Sequence, residues 1–173
     1  MRVVFDTSVL VAALFQAHPH HERAHLWLEA VAEGTFEGIF SRHALAETWS
    51  VLTRLPLKPK LSGSEALQVL ERLRENGFTR VDLTAETYDV ALRRCVDRGL
   101  TSGAVFDALH LAAAEAAAAD VMLTFNVKDF GRLSGEGSPT VLAPPDPPSL
   151  EVKNGKRSRS GATDRPRPRK APG

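Results

Sequence analysis

Cysteine is almost absent from this 173-residue chain, and the single Cys95 excludes a disulfide framework and any zinc site built on paired cysteines. A reducing, cytoplasmic setting is expected. Aromatic residues make up only 6%, but 43% of residues are hydrophobic, enough for a buried core at the length of one domain. Long apolar runs are missing too. None approaches the roughly 20 residues that span a bilayer, and Asp6 interrupts the start Val3-Val4-Phe5 where a signal peptide would stay hydrophobic. The chain is read as soluble, with no membrane partner. It also lacks a glycine-rich phosphate loop and internal repeats.

A dominant charge of one sign is lacking as well, since 22 Lys+Arg against 21 Asp+Glu leave a net of +1. That balance hides a split. Eight basic residues but only three acids (Asp146, Glu151, Asp164) lie beyond residue 143, so the first 143 residues carry −4 and the last 30 carry +5. From Pro144 on, Pro, Gly, Ser and basic residues offer no hydrophobic period to bury, which predicts one folded body over 1–143 and a disordered tail over 144–173. The tail reads either as an arm for nucleic-acid phosphates or as a solubilising appendage.

Within the body, short apolar strands alternate with helices. Val3–Phe5, Phe36–Phe40, Phe78–Leu83, Val121–Phe125 and Thr140–Leu142 read as strands. Helices are expected over Ser8–Phe15, His21–Glu33, Arg42–Leu55, Ser64–Glu75, Ala85–Arg98 and Gly103–Ala119, with a turn at Asp129–Leu133. Thr7 or Ser8 is the expected cap of the first helix. This alternation predicts an α/β fold with helices on both faces of a mainly parallel sheet of four to five short strands, and ligands of such sheets sit beyond the strands' carboxyl ends.

Four acids stand in places that bear on such a site. Asp6 directly follows the first strand, Glu47 lies in a largely apolar helix, and Asp129 follows the strand Val121–Phe125 after a short turn. Asp107 sits in the apolar run Val105-Phe106-Asp107-Ala108-Leu109, where a buried carboxylate needs a partner or a cation. Each has a plain structural reading as a helix cap, a solvated face residue or a loop acid. Together they suggest a negatively charged pocket, and oxygen ligands without paired Cys or spaced His favour Mg²⁺ or Mn²⁺ over zinc. Their separations of 41, 60 and 22 residues do not by themselves establish convergence.

Four stretches resemble the PIN-domain ribonucleases, most of all the VapC-type toxins of toxin–antitoxin pairs. They are Val3-Val4-Phe5-Asp6-Thr7-Ser8-Val9-Leu10, the segment from Ser41 to Arg54 around Glu47, Phe106-Asp107-Ala108-Leu109-His110-Leu111-Ala112-Ala113-Ala114, and Leu123-Thr124-Phe125-Asn126-Val127-Lys128-Asp129-Phe130. They occur in family order across residues 1–143. The resemblance implies a PIN-like three-layer α/β/α fold and an acidic quartet of Asp6, Glu47, Asp107 and Asp129. Asp6 and Asp107 would be direct metal ligands, Glu47 and Asp129 possible or water-mediated ones, and Thr7, Ser8, Thr124 and Asn126 supporting groups. Asn126 competes with Asp129 for the fourth place. It also implies Mg²⁺-dependent hydrolysis of RNA to 5′-phosphate ends, a homodimer, and an antitoxin that blocks the pocket. A housekeeping RNA-processing nuclease and a catalytically silent nucleic-acid-binding module are the rival readings. An aspartyl phosphatase of the haloacid dehalogenase kind would need a second Asp where Ser8 stands.

Other features divide the same way. His21 and His25 share a helical face as a metal pair would, or simply lie at a helix start. Arg42, Arg54, Lys58, Lys60, Lys128 and Arg132 lie near the acidic motifs in sequence, as phosphate contacts or as ordinary solvated charges. Trp27 and Trp49 are expected to anchor the core or a subunit interface.

The two readings of the tail separate on salt dependence. If it is an arm, removing it weakens RNA binding at low salt and flattens the plot of log affinity against log salt, each engaged cation contributing about 0.7 to the slope on single strands. Single-turnover cleavage at saturating RNA stays unchanged in that case. An unchanged affinity and slope identify a solubilising tail.

Overall fold

The computed structural model describes residues 1–145; the tail beyond them, and with it the arm reading, lies outside the described residues. Five strands, β1 (Arg2–Phe5), β2 (Glu37–Ser41), β3 (Thr79–Val81), β4 (Val121–Leu123) and β5 (Thr140–Leu142), form one sheet. Their order is β3-β2-β1-β4-β5 and every pairing is parallel. The helices are α1 (Thr7–Leu14), α2 (His21–Ala32), α3 (Arg42–Arg54), α4 (Gly63–Glu75), α5 (Ala85–Asp97), α6 (Ala104–Ala116) and α7 (Val127–Leu133).

Strand alternation sorts the core into two layers. Val3, Phe5, Phe40, Val121 and Leu123 face one side with α1 to α4, where Leu10, Trp27, Leu52 and Leu70 pack. Val4, Ile39 and Met122 face the other side, against Ala91 and Cys95 of α5, Leu109 and Leu111 of α6, and Phe130 and Leu133 of α7. A period of two along each strand produces both layers from one sheet. The three-layer α/β/α expectation is met, with five strands and wholly parallel pairing among the described residues.

The chain runs outward from β1 through β2 to β3, then returns to the opposite side of β1 for β4 and β5. The reversal lies between β1 and β4. Their pairing ends at Phe5 and Leu123, and the Asp6 N–H extends it by donating to the Leu123 carbonyl at 3.0 Å. A crevice at this point is where open parallel sheets place their ligands.

Several ends differ from the sequence-based expectation. The cap of α1 is Asp6, not Thr7 or Ser8; its extended backbone and its carboxylate, which accepts from the Ser8 N–H, meet the requirement of an N-cap. Strand β4 stops at Leu123, and the Thr124 side chain that follows bonds to Asp6. Helix α7 begins at Val127, two residues before the expected start at Asp129. Trp27 is fully buried, stacks on Phe36 and donates from Nε1 to the Pro145 carbonyl at 2.9 Å, whereas Trp49 is 41% exposed. Pro144 is buried as well, so a tail deletion that spares the Trp27 contact begins at residue 146.

Gly38 shows how tightly the first layer closes. A Cβ there would lie 2.6 Å from the Phe78 ring and 2.7 Å from Val31 Cγ1, both in the buried layer. Gly38→Ala should therefore destabilise the chain by about 1–3 kcal/mol through overpacking, read as a lower urea midpoint with an unchanged m-value.

Candidate active site

Asp6 is placed by β1 and held as the cap of α1. It is 3% exposed, and its Oδ2 accepts three hydrogen bonds: from Ser8 Oγ at 2.6 Å, Thr124 Oγ1 at 2.8 Å and the Ser8 N–H at 3.3 Å. Its Oδ1 accepts none among the described residues, and His110 Nε2 lies 3.8 Å from it. Ser8 Oγ also accepts from the Phe125 N–H at 3.0 Å, and Thr124 Oγ1 accepts from the Asn126 N–H at 3.0 Å. The supporting roles expected of Ser8 and Thr124 thus correspond to direct contacts with Asp6.

Glu47 projects from α3 toward the same crevice. Its Oε2 accepts from Thr7 Oγ1 at 2.8 Å and His110 Nε2 at 2.6 Å, while His43 Nε2 lies 3.7 Å from Oε1. The His110 hydrogen bond holds the Glu47 carboxyl down at about 2, with Thr7 and His43 helping, against the opposing effect of burial. His110 itself is 3% exposed; burial alone would lower its pKa, but Glu47, Asp6 and Asp107 together raise it. The surrounding carboxylates thus favour the protonated imidazole, against the opposing effect of burial.

Asp107, in the first turn of α6, is half-buried at the cavity wall, not sealed in apolar core. The apolar neighbours that suggested burial are Ala108, Leu109 and Leu111, which face the sheet. Burial, then repulsion from Asp6, with smaller contributions from Asp129 and Glu47, pushes its carboxyl up to about 6 despite His110. No hydrogen bond compensates it among the described residues. Asp129 is exposed on the first turn of α7, 3.8 Å from Arg132 Nη1, close enough to raise Asp107 but outside the cavity lining. Asn126 does line the cavity.

These groups share an open cavity of about 650 Å³ lined by Asp6, Thr7, Ser8, Glu47, Asp107, His110 and Asn126, with Arg54 at its edge. Of the basic residues singled out from the sequence, Arg54 lines it, Arg42 is paired with Asp82 and Arg132 stands beside Asp129. His18 and His20 form part of the wall, where His20 stacks on Phe125 at 4.6 Å and Arg23 lies over the same ring. His21 and His25 are instead engaged with the Ala12 and Ala13 carbonyls at the end of α1. The metal-pair reading of those two is replaced by helix capping.

Sequence reasoning missed His110 and His43. Both were legible as helix-face partners, His110 three residues after Asp107 and His43 four before Glu47.

The PIN domain family description matches residues 3–136. The chain belongs to the PIN-domain family. It is 39% identical over 111 residues to Ribonuclease VapC27 of Mycobacterium tuberculosis, covering 64% of this chain and 75% of that protein. Among solved structures it is similar to M. tuberculosis VapC20, described as a sarcin–ricin loop cleaving toxin (TM-score 0.61, 19% identity, 79% of this chain and 99% of that one). A toxin–antitoxin complex from Klebsiella pneumoniae is also similar (TM-score 0.56, 19% identity, 82% and 97% covered). At these identities the structures establish the fold; the curated relatives place this PIN domain with the VapC-type ribonucleases. Among the described residues no helix is long and apolar enough to cross a membrane.

The raised Asp107 carboxyl gives a stability prediction for this PIN domain. Its pKa goes from an ordinary 3.8 to about 6, so the folded chain binds the proton more tightly and stability falls as pH rises through that window. In excess chelator, Asp107→Asn should melt higher than wild type at pH 7, and the two should converge below pH ~4. Differential scanning calorimetry at both pH values checks it; an equal or lower melting temperature at pH 7 contradicts it.

Proposed function

We propose that this chain is a metal-dependent endoribonuclease, the toxin of a toxin–antitoxin pair, cutting RNA phosphodiester bonds at the Asp6–Asp107 pocket. The observation that carries this reading is the Asp107 carboxyl, pushed up to about 6 beside Asp6 with no protein hydrogen bond to relieve it. A divalent cation relieves such repulsion, and the donor set fits one: carboxylate oxygens from two elements facing an open cavity.

Asp6 and Asp107 would hold Mg²⁺ or Mn²⁺, with Asp129 or Asn126 reaching it through water. When bound, the ion lowers the pKa of a water and offsets charge developing on phosphate oxygens. The protein's own part is positioning. Ser8 and Thr124 occupy Asp6 Oδ2 and so orient Oδ1 for binding. Glu47 is held by Thr7 and His110, which keeps it ionised and suits it to orient water more than to ligate directly. Arg54 on the cavity edge offers a phosphate contact, and Phe125 with His20 offers a flat face for a base.

Partners follow from the same reading. A cognate antitoxin is supported by the Klebsiella toxin–antitoxin complex, which shares the fold. A homodimer is supported by the exposed stripe Tyr88, Leu92 and Val96 on α5, at 45%, 54% and 77% exposure with helical spacing.

Asp6→Asn and Asp107→Asn should each lower single-turnover RNA cleavage on the order of 10²-fold or more while the chain stays folded. Wild-type activity should vanish in excess chelator and return with Mg²⁺ or Mn²⁺. Wild-type rates in either folded variant, or full activity in a metal-free preparation confirmed by elemental analysis, contradict the reading.

A further inference from the structure

One polar atom beside the pocket has no place in the ribonuclease reading. His43 Nε2 is buried and has no hydrogen-bond partner. Buried imidazole nitrogens are ordinarily satisfied, so an orphan one calls for an explanation. It lies 3.7 Å from Glu47 Oε1, too far to bond, while the other carboxylate oxygen, Oε2, meets His110 Nε2 at 2.6 Å. Glu47 therefore sits between two imidazoles, with each oxygen facing one Nε2.

We propose that His43, Glu47 and His110 form a binding site for a borderline transition-metal ion such as Zn²⁺, adjoining the all-oxygen pocket of Asp6 and Asp107. The three ligand atoms lie within 4.8 Å of one another. Ligands at about 2.1 Å from a tetrahedral ion are about 3.4 Å apart, so adjustments of about 1 Å bring the three into coordination. Two nitrogens and one carboxylate are the donor set that zinc and its neighbours prefer and that Mg²⁺ does not.

Helices and side-chain contacts position the three. His43 and Glu47 are one turn apart on α3, and His110 comes from the buried face of α6. The His43 ring lies nearly parallel to Phe106, at an interplanar angle of 14° and a centroid distance of 5.8 Å. Thr7 Oγ1 donates to Glu47 Oε2, an outer contact that orients the carboxylate. Burial and the nearby His110 lower the pKa of His43, which favours the neutral ring that ligation needs. The ion would take the place of the proton that His110 shares with Glu47. Access is from two sides: Glu47 and His110 line the main cavity, and His43 lines a shallow depression with Asp82 and Tyr88.

The proposal shares Glu47 with the ribonuclease site, but its test needs no RNA, so the two readings fail separately. Co²⁺ is titrated into the full chain in excess Mg²⁺ and followed by visible absorption, then displaced with Zn²⁺. Wild type should gain the intense bands of a low-coordinate, nitrogen-ligated Co²⁺ and lose them to one equivalent of Zn²⁺. His43→Phe keeps the aromatic stack but removes the ligand, and it should lower Co²⁺ affinity at least ~tenfold. His43→Ala serves as a second variant should the larger ring disturb folding. Asp107→Asn should keep the bands. Wild-type-like Co²⁺ binding in both folded His43 variants, or bands lost with Asp107→Asn but kept without His43, would overturn the site.

Discussion

The carboxylate of Asp6 is the joint on which the site is built. One side-chain oxygen ties together the end of β1, the first turn of α1 and the residue that follows β4, through Ser8 and Thr124. The same residue caps α1, so a single buried charge closes a helix and marks the edge of the cavity. Three donors on Oδ2 offset much of the cost of burying that charge. Parallel pairing of β1 with β4 is what delivers Thr124 to Asp6, 118 residues away in the chain.

Electrostatics around this joint are uneven. Glu47 accepts two hydrogen bonds and its carboxyl is driven down; Asp107 accepts none among the described residues and is driven up. His110 accounts for part of the contrast, because it bonds to Glu47 and only faces Asp6 and Asp107 across space. Two acids of one expected quartet thereby acquire different chemical characters, one with its charge compensated by protein donors and one without such compensation among the described residues. Asp129, exposed beside Arg132, belongs to the field at the pocket more than to its wall.

The sequence was informative where local rules govern. The apolar triplet Val3-Val4-Phe5 followed by an acid, the caps and glycine stops of the helices, and the β/α alternation predicted the layers and the end of the sheet that carries the site. It was less informative where side-chain direction matters. Asp107 looked buried because α6 is apolar along most of its length, but those apolar residues pack on the sheet while Asp107 turns to the cavity. His21 and His25, at metal-pair spacing, cap α1, whereas His43 and His110, 67 residues apart, meet around Glu47.

Residue order and hydrophobic period alone determined that strands alternate with helices, that the sheet is parallel and that Asp6 stands just past a strand's carboxyl end, because these follow from spacings of two and of three to four residues. Which carboxylate is satisfied, which repels its neighbour and which histidine stands between them depended on distances of 2.6 to 3.8 Å between residues 40 to more than 100 positions apart. Only packing of α1, α3 and α6 around β1 and β4 sets those distances, since Coulomb and hydrogen-bond energies change steeply over an ångström and the linear order of residues carries no such information.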